Sequence, residues 1–438
     1  MRSLRTRVGT TLLGAAISAL VVAVGPAGPA ASAAAASGAG GSSVPASSQQ
    51  AWVRSALETQ YHLGDELPLV SARWVGTHNS FNSIAEVGLA LSPLDANQHL
   101  DITRQLDTGV RQLELDVHWF PSLSGSGTAG LERGQLDAPV VCHAYPNHLG
   151  CSTEKTLGPV LDEIATWLHA HPSEVIFVYL EDHLDNQQGY ETAGRLITDR
   201  LGSLVYRTPG PTSCTAMPLD LTRAQIRREG GQVLVVANSC GPGADPSWRA
   251  NVFDWTHTHV EAQPQHGFDG WPGCGPDFTA TDYRSTLTRY FEEMGQVSTL
   301  TGAGGWPITA DMAAQMTKCG VDMISLDQWD PSDPRLASLV WSWAPGQPTS
   351  DPGCTIQRGD GRWETRPCDE PHRVGCRTAD GSWLIPPARV PDADAARVCA
   401  AAGAVYAPPR SGNQNQLLHV AQGSSGADGV WIGYRAGT

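Results

Sequence analysis

The strongest constraint on this chain is a recurring ending. Four short runs each carry amide, imidazole or carboxylate side chains at or near their ends: residues 76–80 (GTHNS), 113–117 (LELDV), 141–143 (VCH) and 178–182 (VYLED). Runs of this kind read as strands whose carboxyl ends meet at one mouth, where reactive groups from separate strands collect.

The rest of the chain fits that reading. Strands are expected over 73–77, 110–117, 139–143 and 174–181, with later ones over 232–237, 251–254 and 321–326. Between the third and fourth strands, Leu157, Val160, Leu161, Ile164, Trp167 and Leu168 recur at helical spacing over 155–169, which makes a βαβ unit. Further helices are expected over 283–294 and 308–318, and residues 297–307 carry no clear pattern. The alternation predicts an α/β fold: a (β/α)8 TIM-type barrel over 51–345, irregular in its second half.

A chain of 438 residues exceeds what one core usually supports. The second unit is expected over 346–438, where Gly, Pro, Arg and four cysteines concentrate around Trp363, Trp383 and Trp431. At the other end, Arg2, Arg5 and Arg7, an apolar stretch over 11–24 and the Ala31-Ser32-Ala33 triplet read as a secretory signal peptide over 1–33. A flexible Ala/Gly/Ser leader over 34–50 follows. The expected location is therefore extracellular.

Ten cysteines, an even number in an exported chain, point to disulfides rather than thiolate metal sites. Local pairing suggests Cys142 with Cys151, Cys214 with Cys240 and Cys274 with Cys319, with Cys354, Cys368, Cys376 and Cys399 bonded within the tail. The formal charge of −15 becomes about −18 without the three leader arginines, which excludes nucleic acid as a natural partner and gives no attraction to anionic bilayers.

Individual residues sharpen the chemistry. Glu114 and Asp116 are two apart, so a strand turns both carboxylates to one face while Leu113, Leu115 and Val117 take the other. Two such carboxylates repel unless a cation lies between them. Glu181 closes the apolar run EVIFVYLE, where an unpaired charge is costly; a salt bridge to an arginine such as Arg111 is the plain alternative to a metal. With Asn79, these oxygens suit a hard ion, Ca²⁺ or alternatively Mg²⁺, better than zinc. His78 and His143 end two further strands and can move protons, with His148, His118 and His183 as weaker substitutes for His143. A Cys142–Cys151 bond would fix the loop carrying His143, Tyr145, Asn147 and His148. Asp327 and Trp329 end a late apolar run, and a substrate-facing role there is as expected as a barrel-closing one.

In this order, a histidine followed by asparagine, an E-x-D strand, a second histidine and a glutamate closing a later apolar strand resemble the phosphatidylinositol-specific phospholipase C superfamily, in its calcium-dependent branch. The resemblance spans roughly residues 70–185. It implies that His78 stabilises the phosphoryl transition state and that His143 is general acid to the leaving alkoxide. It further implies that Asn79, Glu114, Asp116 and Glu181 bind calcium, with Glu114 or Asp116 a candidate base. Phosphate-binding lysines find no match, since Lys155 and Lys318 are the chain's only lysines; Lys155 is the nearer substrate-binding candidate. The tail, from VGCRTADGSWLIP to VWIGY, is similar to the first half of a C-type-lectin-like module but lacks that module's calcium and sugar motifs. The resemblance thus implies a secreted phosphoric diester hydrolase. Its expected partners are a phospholipid or phosphodiester headgroup, peripherally a membrane, and a glycan if the tail is more than a structural cap. The rivals are a glycerophosphodiesterase or sphingomyelinase-D-like enzyme, a glycosidase, which would leave His78 and His143 unused, and an inactive glycan-binding scaffold.

Overall fold

The structure, a computed structural model, describes residues 46–85, 96–120, 138–143, 155–207, 214–238, 240–241, 245–255, 258–262, 268–275, 286–301, 305–349 and 353–436. The signal segment, the start of the expected leader, Tyr145, Asn147, His148 and Cys151 lie outside these residues.

In chain order the elements are α1 (Ala46–Leu63), β1 (Trp74–Thr77), α2 (Ile102–Asp107), β2 (Gln112–Phe120), β3 (Ala138–Val141), α3 (Leu157–Ala170), β4 (Ile176–His183), α4 (Gln187–Leu201), α5 (Arg223–Arg228), β5 (Val233–Ala237), α6 (Pro246–Arg249), β6 (Phe253–Asp254), β7 (His259–Ala262), β8 (Leu287–Phe291), α7 (Gln296–Thr301), α8 (Ala310–Cys319), β9 (Met323–Leu326) and α9 (Pro334–Leu339). The sheet runs β6-β5-β4-β2-β1-β9-β8-β7, all parallel, with β3 attached outside this path to β2.

Strand alternation sorts the apolar residues into two layers. Leu113, Leu115, Val117, Val178, Leu180, Val233 and Val235 face outward and are buried against Val160, Leu161, Ile164 and Leu168 of α3 and Ala193 and Ile197 of α4. Trp74, Phe177, Leu234, Leu287 and Met323 face inward and plug the amino-terminal end of the sheet's interior. Each such side chain, fully buried, contributes about 1.5–3 kcal/mol. The plug leaves the carboxyl end of the interior to polar groups.

Four expectations are corrected. The sheet curls without closing, because β6 and β7 do not pair among the described residues; β6 is two residues long and no described helix separates the two. The strand expected over 139–143 does not extend the parallel barrel: β3 runs antiparallel to β2, with Val141 opposite Val117. The helix expected over 283–294 is instead β8, in which Leu287, Arg289 and Phe291 alternate with Thr288 and Tyr290; the alternation of two prevails over the helical reading. The leader's last residues, from Ala46, already belong to α1.

The tail forms two small sheets. Strands β10 (Cys354–Arg358), β11 (Trp363–Arg366), β12 (Arg373–Val374), β13 (Cys376–Arg377), β14 (Trp383–Leu384), β15 (Val405–Tyr406) and β16 (Gly429–Ile432) are arranged as β11-β10-β16-β12 and β14-β13-β15, with helices α10 (Asp392–Ala401) and α11 (Gly412–Ser425). The tail packs on the barrel through buried Trp343 and Trp363, whose ring centroids lie 5.7 Å apart, and through Asn415, whose side-chain N–H donates to the carbonyl of Trp341 at 3.0 Å. Disulfides join Cys214–Cys240, Cys274–Cys319, Cys354–Cys368 and Cys376–Cys399, and Cys142 is also disulfide-bonded. No described helix is long and apolar enough to cross a membrane.

Candidate active site

Above the apolar plug the interior turns polar because small residues make room. A side chain on Gly76 would place its Cβ 1.9 Å from Gln112 Oε1. With glycine there, Gln112 crosses the interior and accepts from Ser325 Oγ at 2.6 Å, and Ser325 in turn accepts from Arg289 Nε at 3.1 Å. This polar floor carries the site.

His78 follows β1 directly and Asp327 follows β9 directly, and the two strands pair with Thr77 opposite Leu326. The next residue in each case, Asn79 (φ 44°) and Gln328 (φ 50°), is left-handed, so both chains turn sharply at the strand end. The result is a dyad: His78 Nδ1 lies 3.0 Å from Asp327 Oδ2, both side chains buried. Asp327 is held in turn by Gln98 Nε2 at 2.8 Å, the Met294 amide at 2.8 Å and Asn97 Nδ2 at 3.3 Å. Burial opposes a charge on His78, but Asp327 and Glu114 outweigh it and lift its pKa to about 10. The imidazole is therefore cationic at neutral pH, and with Nδ1 engaged, Nε2 is its free donor position.

Across the mouth, Glu114 and Asp116 point inward from β2 as the alternation requires, and Glu181 of β4 lies in register opposite Asp116. Oxygens of these three carboxylates come within 4.8 Å of one another, the widest separation that ligands about 2.4 Å from one ion can have. Among the described residues no cation pairs with Asp116, and burial, then Glu181 and Glu114, hold its pKa well above the carboxylate range. A hydrogen bond from His183, whose Nε2 is 3.0 Å away, lowers that of Glu181. Asn79 lies beside this group. With its amide oxygen toward Asp116, 2.9 and 3.0 Å from the two carboxylate oxygens, Asn79 donates to Asn97 Oδ1 at 3.2 Å; with the amide reversed it would donate to Asp116 and lose the Asn97 bond. The first orientation gathers one amide and several carboxylate oxygens, a donor set that fits a hard cation.

The residue that sequence reasoning missed is Arg289. It rises from β8 into the interior, pairs with Glu114 through Nη2 and with Glu261 through Nη1 at 2.7 Å, and is 1% exposed. Glu114 is thus partly neutralised by the chain's own cations: burial pushes its pKa up, and Arg289 and His78 pull it back. The helical reading of 283–294 hid Arg289, whereas the alternation L-T-R-Y-F would have placed it inward beside Leu287. Arg111 proves to serve Glu174, at 2.8 Å, and not Glu181.

His143 follows β3 and is half-buried; the amide of Cys142 donates to the carbonyl of Asp116 at 3.1 Å, which fixes this segment beside the carboxylates. His143 lines a cleft of about 420 Å³ with Asn97, Glu293, Val297, Ser298 and Trp306, and through Asn97 the cleft meets the dyad. The remaining expectations separate. Asp327 serves His78 rather than a substrate, and Trp329 is in the apolar core, 2% exposed. Lys155 lies two residues before α3, 3.7 Å from Glu163. His118 and His183 stack 4.4 Å apart above Asp116 and Glu181.

Residues 41–333 match the model of the Rv2075c PI-PLC-like domain. The chain belongs to that family. Two strain versions of an uncharacterized Mycobacterium tuberculosis protein, Rv2075c of H37Rv and MT2135 of CDC 1551, are each 39% identical over 406 residues, covering 88% of this chain and 80% of the relative. Among solved structures, the phosphatidylinositol-specific phospholipase C of Listeria monocytogenes is similar at a TM-score of 0.41 and 14% identity, covering 65% of this chain and 97% of the other. That of Staphylococcus aureus gives 0.40 and 14%, covering 66% and 98%.

Proposed function

We propose that this member of the PI-PLC-like family is an exported phosphodiesterase that cleaves a phosphatidylinositol-type phospholipid, using His78, His143 and the carboxylates of β2 and β4. The observation that carries the reading is the pairing of the buried His78–Asp327 dyad with Glu114, Asp116 and Glu181 at one end of the sheet. A scaffold has no physical need for such like charges; a phosphoryl-transfer centre does.

Calcium, or alternatively magnesium, held by Asn79, Asp116, Glu181 and an oxygen of Glu114, would supply positive charge beside the phosphoryl oxygens. The chain's own groups do the rest. His78, kept cationic by Asp327, donates from Nε2 to a phosphoryl oxygen as negative charge grows there. Of the two candidate bases, Glu114 is occupied by Arg289, which leaves Asp116, paired with no cation among the described residues, for the role. The hydroxyl next to the phosphodiester gives its proton to Asp116, its oxygen bonds to phosphorus, and the bond from phosphorus to the leaving oxygen breaks. His143 protonates that oxygen, and the product is a cyclic phosphate that water opens by the reverse proton transfers.

The disulfides support work outside the reducing cytoplasm. The tail's buried tryptophan contacts with the barrel favour a structural cap over a detachable glycan binder. A headgroup panel, followed as loss of the starting diester, tests the assignment: phosphatidylinositol is expected to be cleaved at least tenfold faster than glycerophosphocholine or sphingomyelin. Preference for either of the latter would move the enzyme to the rival class.

A further inference from the structure

Asp327 can serve His78 only if its own backbone is fixed, and the structure shows an unusual fixture. Glu292, the residue after β8, is fully buried, and its Oε2 accepts from the Asp327 amide at 2.6 Å. The same oxygen accepts from Arg335 Nη1 of α9 at 2.6 Å, and Arg335 Nη2 donates to the Asp327 carbonyl at 2.7 Å. Arg335, which also pairs with Asp333 at 2.6 Å, thus joins Glu292 in gripping Asp327 by both its N–H and its C=O. The other carboxylate oxygen, Oε1, accepts from the Ile308 amide at 2.5 Å. Ile308 closes the segment whose Glu293, Val297, Ser298 and Trp306 form one wall of the cleft that holds His143. Met294 in that segment also donates its amide to Asp327 Oδ2.

We propose that Glu292 and Arg335 are positioning residues: they set the aim of Asp327 on His78 and fasten the cleft wall to the same point. Elementary packing needs neither. A buried ion pair seldom adds net stability over apolar residues of like volume, so its presence next to Asp327 calls for a geometric role. The arrangement also explains why Asp327 keeps three side-chain and backbone donors in line while the following residue, Gln328, takes a left-handed turn. This inference rests on the phosphodiesterase reading for its kinetic consequence, but its geometric content stands apart from that reading.

The test combines a structure with a kinetic cycle. Glu292→Gln keeps the volume but leaves one oxygen to serve donors that now have two; Arg335→Lys is the second variant should the first not fold. Crystal structures of the wild type and either variant should show the His78 Nδ1–Asp327 contact lengthened beyond hydrogen-bond distance with the β-strands unmoved. An unchanged dyad overturns the proposal, whether or not the protein cleaves phosphatidylinositol. If the wild type cleaves it, Glu292→Gln should lower kcat at least tenfold, yet change it less than threefold in an Asp327→Asn background, because it acts through Asp327. Full additivity of the two losses would reduce Glu292 to a merely structural residue and reject the role. A wild type that cleaves none of the tested phosphodiesters would remove the functional reading alone, and the crystallographic comparison would still decide the positioning claim.

Discussion

Removing the Arg289 guanidinium isolates the electrostatics of the mouth. In Arg289→Met the side-chain volume is nearly kept, but Glu114, 3% exposed, loses its cation. Breaking one partner from a buried pair costs about 3–5 kcal/mol, because the remaining charge has neither water nor counter-ion. With an unfolding entropy of about 2.1 cal/mol/K per residue over roughly 390 residues, that loss lowers Tm by about 4–6 °C. The sign of its pH dependence follows from linkage. Glu114 already has a raised pKa in the folded chain, and losing Arg289 raises it further. The ionised form then destabilises the fold above the unfolded carboxylate value, and protonation relieves the penalty as pH falls. Paired thermal melts in chelator should show the full gap between variant and wild type at pH 7.5 and a gap less than half as large at pH 4.5. Calcium at millimolar concentration should also narrow the gap at pH 7.5, since the variant leaves the carboxylates with one more uncompensated charge. A gap below 1 °C at pH 7.5, or one that widens toward acid, would refute this account of the site's charge balance.

Further expectations concern other parts of the molecule. His143→Ala should lower turnover by about 10²–10⁴-fold with Tm within 1 °C of wild type, as measured by phosphate release and thermal melts; retained activity would move the general acid elsewhere. At the opposite end of the barrel, His62 bridges Asp65 and Glu174. Hydrogen bonds that His62 donates to Asp65 and Glu174 raise its pKa to about 9, and although burial works against them, His62 and nearby arginines hold both carboxyls down to about 2. The carboxylate contribution is complete above about pH 4 and lost as pH falls toward 2, while the histidine contribution is complete below about 6.5 and lost as pH rises through 9. Stability should therefore peak between these limits, and His62→Gln should remove an alkaline loss of only ~1 kcal/mol, because a side chain 35% exposed is screened by solvent. Replacing Cys274 and Cys319 together by serine, which opens a bond of sequence separation 45, should cost about 4 kcal/mol in denaturant unfolding.

The legibility of this chain in its sequence follows its periodicities. Strands β1, β2, β4, β5 and β9 and helices α3 and α8 were readable because their apolar residues repeat at two or at three to four, and β2 was the clearest, with Glu114 and Asp116 facing opposite to Leu113 and Leu115. The carboxylate cluster was visible for the same reason. What escaped depends on distant partners. Nothing local to Asp327 announces that it will bond His78, 249 residues earlier, and nothing local to Glu292 announces Arg335. The sequence LTRYFEEM is amphipathic at either period, and only the pairing with β7 and β9 selects the strand β8. The antiparallel β3 was hidden too, since a four-residue strand carries no sign of its direction. A tryptophan following a strand fits a rim and a closing role equally; here the chain turns at Gln328 and buries the Trp329 indole.

The central proposal is that the carboxyl end of this sheet is a phosphodiester-cleaving centre that works with a hard cation. Phosphorus NMR of phosphatidylinositol incubated with the full chain measures that directly, in calcium and in excess chelator. The expected spectrum in calcium shows a transient five-membered cyclic inositol phosphate giving way to the monoester, with chelator suppressing both signals and Asp116→Asn producing neither. Equal turnover in chelator, or a monoester that appears with no cyclic precursor, would contradict it.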